Sequence, residues 1–171
     1  EAITIFLNLP LLLVLIIAWL PYYIVKFPGH ISADAYTQIR PFMGEIELTT
    51  HHPYFSTLLI GGCVKIGALL GSTRIGVFSY VLIQYILLAM IFAYCITIVN
   101  RFRISKIYSW GLVLIYAISP MFGNHATAVI KDTLFCGLFT LFILLLTVII
   151  RNIRKGEVNI SGAKNSAVAI L

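Results

Sequence analysis

Two polar segments of this sequence hold the residue types that acid–base or phosphate chemistry needs. Residues 26–52 carry Asp34, Gln38, Arg40, His51 and His52, and residues 119–132 carry His125, Lys131 and Asp132. Asp34 and Gln38 are four apart, so a helix places them one turn apart on one face. Such a helix is expected over residues 32–43, with Ser32 as its N-cap and Gly44 as its stop, and with Ile31, Ala35, Ile39 and Phe42 on another side. Asp34 then has two readings. It is a first-turn carboxylate favoured by the helix dipole, or a general base at the water boundary whose pKa partial desolvation raises toward a useful value.

His51 and His52 invite a metal, but adjacent side chains on extended backbone point apart, and no third ligand follows at metal-binding spacing. The expectation is therefore no metal and no other cofactor. These histidines read instead as donors to an anionic group, with Pro53 as the first residue of the next helix. Lys131 and Asp132 stand at the mouth of an apolar helix, where ionisable residues are functional candidates. The alternative is that Lys131 snorkels and Asp132 serves as N-cap.

The elements that must position these residues are apolar helices. Of the 171 residues, 60% are hydrophobic and 11% charged, against about 45–50% and about 25% in a soluble domain. That composition excludes an ordinary soluble globule, a disordered chain and a small disulfide scaffold. Cys63, Cys95 and Cys136 lie in apolar stretches and read as packing residues. The net charge of +6 fits cytoplasmic basic loops, not nucleic-acid binding.

A crossing helix needs about 20 apolar residues. The expected fold is an all-α polytopic membrane bundle with about four transmembrane helices, at about 2–25, 75–99, 107–121 and 133–150, and with juxtamembrane helices in an outer loop over 26–74. Residues 53–70 admit two readings, because Lys65 and Gly61-Gly62 interrupt them. A surface helix avoids the cost of a charge at mid-bilayer, about 2.5–3.5 kcal/mol. It also leaves residues 26–52 and 119–132 on one outer face and the basic clusters Arg101, Arg103, Lys106 and Arg151, Arg154, Lys155 on the cytoplasmic one. A crossing helix would instead part Asp34 from Asp132. The chain reads as a piece of a longer protein, because residues 167–171 resemble the first turn of a further apolar helix.

An early helix, a long loop containing PGHISADAYTQ, the HHPY that opens an apolar segment, an arginine before the next span and the KD of the second loop together resemble the GT-C superfamily of membrane glycosyltransferases. That superfamily includes the protein O-mannosyltransferases and the bacterial aminoarabinose transferases. The resemblance implies an integral protein of the bacterial plasma membrane that moves a sugar from a polyprenyl-phosphate donor, held among membrane lipid, to an acceptor on the outer face. By the same resemblance Asp34 matches the first-loop catalytic aspartate and Asp132 the acidic residue of the second loop. His52 falls near the lipid-phosphate site, with Lys131, Arg40, His51 and Gln38 as further candidates there. Tyr54 stands where those families carry a second proline, and Asp34 lacks the following acid of the O-mannosyltransferases. The competing readings are a lipid-linked-sugar flippase or other transporter, a surface-polysaccharide polymerase or ligase, and a structural membrane protein. The absence of an internal repeat, and charges gathered at helix ends, speak against the transporter.

Overall fold

Helices form where the apolar runs are long and free of turn residues, and they stop at proline, glycine and polar caps. The computed structural model describes residues 8–49, 51–102 and 105–155. The expectations for residues 1–7, for Arg103 and for the apolar turn at 167–171 lie outside the described residues. Helix α1 (Leu9–Val25) begins with Pro10 in its first turn, where a missing N–H costs nothing. Strand β1 (His30–Ile31) precedes α2 (Ala33–Ile39), and a 3-10 turn (Arg40–Met43) extends α2. Pro41 cannot continue the α-helical ladder. Gly44, at φ 77°, closes the segment in the left-handed conformation, so the helix expected at 32–43 is present as a short α-helix followed by a 3-10 turn.

Helix α3 (Tyr54–Leu69) turns back through residues 70–72 into the long α4 (Thr73–Arg101). A Cβ on Gly67 would fall on the backbone of Gly76, and one on Gly76 would fall on the backbone of Cys63 and Val64. Small residues at both places therefore let the two helices touch backbone to backbone. Helices α5 (Lys106–Ile118) and α6 (Pro120–Ala126), strand β2 (Ala128–Val129) and α7 (Lys131–Arg154) complete the order.

The span expected at 107–121 ends early, at Ile118, because Pro120 has no N–H for the carbonyl of Tyr116. The indole N–H of the fully buried Trp19 takes that place, donating to the Tyr116 carbonyl at 2.8 Å. Pro53 and Asp132 also sit slightly off their expected positions. Pro53 occupies the N-cap of α3, and Ile130 is the N-cap of α7, with Asp132 in its first turn.

Among the described residues the fold is all-helical apart from two strands of two residues each. Two helices, α4 and α7, are long and apolar enough to cross a membrane, while α1, α3 and α5 are shorter apolar helices. The core divides along α4. Tyr85, Leu88, Ala89, Phe92 and Ala93 pack with Leu12, Leu15 and Trp19 of α1, and Val77, Tyr80 and Val81 pack with Ala35, Ile39, Ile60, Val64 and Val129. The first half of α4 is thus the platform on which the polar segments sit.

Candidate functional site

The two polar segments are joined by backbone before any side chain acts. β1 pairs in parallel with β2, His30 opposite Ala128 and Ile31 opposite Val129. Ser32 accepts from the N–H of Ala35 as N-cap of α2 and donates to the Val129 carbonyl at 2.9 Å. The second segment is held from below by Gln84, fully buried in α4, whose amide donates to the carbonyls of His125, Ala126 and Ala128. Its carbonyl oxygen accepts from the Tyr80 hydroxyl at 2.9 Å. Gln38 does the same for the first segment. It is 1% exposed, donates to the Asp34 carbonyl and accepts from Ser56 and Thr57 of α3.

On this frame four side chains close a ring. Lys131 Nζ donates to Asp34 Oδ2 and to His52 Nδ1, each at 3.0 Å. Thr37 Oγ1 donates to the Asp34 carbonyl at 2.7 Å, so it accepts from His52 Nε2 at 2.8 Å. That order of donors assigns His52 the neutral tautomer with its proton on Nε2. The hydrogen bond and charge of Lys131 hold the Asp34 carboxyl below the usual carboxylate range against the opposing desolvation, and His52 and His51 add smaller pulls in the same direction as Lys131. Burial lowers the His52 pKa, and the charges of Lys131 and His51 lower it further against the opposing pull of Asp34. The Asp34 side chain remains 61% exposed while that of Lys131 is 19% exposed, so the carboxylate faces water and the ammonium is tucked beneath it.

A family model described as a family of unknown function, DUF6020, matches residues 44–171, most of the chain. The chain belongs to DUF6020. No curated protein and no solved structure matches it. The matched range contains His51, His52, Lys131 and Asp132 and begins after Asp34, Thr37 and Gln38.

In this DUF6020 chain the sequence-derived candidates separate into groups. Asp34, His52 and Lys131 meet. His51 is exposed and lies edge-on to the His52 ring at 4.8 Å. Arg40 is paired with Glu45 at 3.0 Å. Gln38, expected beside Asp34 on an accessible face, is buried instead, because its amide ties α2 to α3. The residue that reaches Asp34 across the two segments is Lys131, not the second carboxylate. Asp132, one position on in a helix, points about 100° away and lines a cavity beside α7. The expected rise in the Asp34 pKa is also reversed, since Lys131 stabilises the anion more than burial opposes it.

Sequence reasoning missed Thr37 and Gln84. Thr37 carries no signal without the fold. Gln84 did carry one, a lone amide inside an apolar run, where a polar side chain is expected to find a partner.

Proposed function

We propose that this DUF6020 protein is a membrane glycosyltransferase that moves a sugar from a polyprenyl-phosphate donor to an acceptor hydroxyl on the outer face of the bacterial plasma membrane. The observation that carries the reading is the Asp34–Lys131–His52 cluster, a water-facing carboxylate in contact with a cation at one end of an apolar bundle. The proposed topology has four crossings, by α1, α4, α5 and α7, with α3 on the membrane surface. Two contacts support it. β1 and β2 bring the polar segments to one end, and the Arg151 guanidinium over the Phe102 ring, at 4.7 Å, brings the end of α4 at Arg101 and the end of α7 together at the other. An even number of crossings must then separate the polar segments, and α4 with α5 supply it without α3.

In the proposed reaction the acceptor oxygen bonds to the anomeric carbon as the carbon–oxygen bond to the phosphate breaks. The electron pair leaves on the phosphate and the proton passes to Asp34. Lys131 gives the mechanism its order. At rest it holds Asp34 as a weak base; the phosphodiester monoanion of an arriving donor draws the ammonium away, and Asp34 becomes the stronger base when the donor is in place. Lys131 then stabilises the leaving phosphate.

The test reconstitutes the full-length protein in liposomes with a panel of prenyl-phosphate hexoses and pentoses and an extract of envelope glycans as acceptor. Release of prenyl phosphate, read by mass spectrometry, is expected from the wild type. Asp34→Asn is expected to slow release by about 10²–10⁴-fold while still binding donor. A protein that carries the sugar lipid across the bilayer without releasing prenyl phosphate would be the flippase and would overturn the reading.

A further inference from the structure

Beside the ring, and not part of it, α4, α5, α6 and α7 line a half-open cavity of about 430 Å³, a size within the range of small-molecule sites. Its walls are mostly apolar, with Leu88, Phe92 and Phe122 among them, and its polar lining includes His125, Asp132, Thr133 and Thr140, the last of which is already bonded to the Cys136 carbonyl. Thr133 is the anomaly. It is 7% exposed and its hydroxyl has no hydrogen-bond partner. Threonines within the helices of this chain bond the carbonyl four residues back, as Thr97, Thr140 and Thr147 do. Thr133 sits in the first turn of α7, where the residue four back is Val129, whose carbonyl already accepts from Ser32. Asp132 is unusual in a second way. Lys131 turns to Asp34, and among the described residues no cation lies within ion-pair distance of Asp132. An apolar cavity thus ends in a carboxylate and an unpartnered buried hydroxyl.

We propose that this cavity binds an amphiphile whose head group donates hydrogen bonds and carries no negative charge, that is, a long-chain alcohol or amine. The chain packs on Leu88, Phe92 and Phe122, and the hydroxyl or ammonium donates to Asp132 and to Thr133 Oγ1. A phosphate head is disfavoured, because Asp132 repels it and the other polar groups of the cavity, His125, Thr133 and Thr140, include no permanent cation. The site is independent of the proposed transfer reaction and stands or falls by binding alone.

Cys136 lines the same cavity and reports on its occupancy. The full chain in phosphatidylcholine nanodiscs is alkylated with N-ethylmaleimide, and peptide mass spectrometry follows Cys136, with Cys63 on α3 as internal control. Dodecanol and dodecylamine are expected to slow alkylation of Cys136 several-fold and leave Cys63 unchanged, whereas dodecyl phosphate slows neither. Asp132→Asn is expected to lose protection by the amine and keep most of that by the alcohol, and Thr133→Val to weaken both. Equal protection by all three compounds, equal slowing at Cys63, protection that survives the double variant, or no protection because another segment of the protein fills the cavity would each overturn the proposal.

Discussion

Lys131 serves Asp34 and His52 through one ammonium, so its removal changes two titrations together. In Lys131→Met the Asp34 carboxyl is expected to rise toward the ordinary carboxylate range and His52 to rise with it, because the largest cause of the first depression and a cause of the second are gone. Carbon-detected NMR titration of the two side chains measures this; an unmoved Asp34 would mean that Lys131 does not reach it. Both depressions have the same sign for stability. Each group binds protons more weakly in the folded chain than in the unfolded one, so the folded state loses ground as pH falls. The His52 contribution is whole above its ordinary value of 6.5 and is lost as pH drops through the lowered one, when the new imidazolium faces Lys131. The Asp34 contribution is whole above the ordinary carboxylate value of 3.8 and goes only at still lower pH. Relative to the intrinsic exchange rate at each pH, the protection of amides in residues 30–38 and 127–131 is expected to fall in two steps on acidification, the first below about pH 6.5.

At the scale of elements, the site depends on joints that lie outside it. Gln84 satisfies three carbonyls of the second segment. Gln84→Leu keeps the volume roughly and leaves those buried acceptors and the Tyr80 hydroxyl without a partner, and it is expected to cost about 1–3 kcal/mol. Thermal unfolding in detergent measures the cost, and faster exchange at residues 125–129 locates it. The α3–α4 joint makes a sharper comparison. Gly76→Val is expected to destabilise by about 1–3 kcal/mol or more, since its side chain would press on the Cys63 carbonyl, whereas Gly62→Val, with nothing within 4 Å of its Cβ, leaves the unfolding midpoint nearly unchanged. Equal effects at the two sites would show that the close approach of α3 and α4 contributes little.

The whole molecule has two chemically distinct ends. Asp34, Thr37, His52 and Lys131 gather at one, and Arg151 with Phe102 marks the other, near Arg101, Lys106 and Arg154. In sealed vesicles an impermeant thiol reagent is expected to reach Asp34→Cys and Lys131→Cys from one side and Arg101→Cys and Arg154→Cys from the opposite side, once the native cysteines are replaced. Labelling of all four from one side would end the four-crossing topology. The exposed apolar face of α7, where Phe135, Phe139, Phe142, Ile143, Leu146 and Ile149 look outward, fits a helix that meets lipid.

The sequence by itself determined where helices form and stop, since apolar run length, Pro41, Gly44, Pro120 and the Ser32 cap act within a few residues. It also determined that Asp34, His52 and Lys131 stand at the edges of apolar segments, where a charged group keeps its water. Only the tertiary structure decided which of them touch. The choice of Lys131 over Asp132 as the partner of Asp34 follows from the register of β1 on β2 and from the roughly 100° between successive side chains at the start of α7. The burial of Gln38 and the recruitment of Thr37 likewise depend on α2 meeting α3. A contact between residues 97 apart in sequence has no local signature, because its energy exists only once the backbone that carries both partners is already in place.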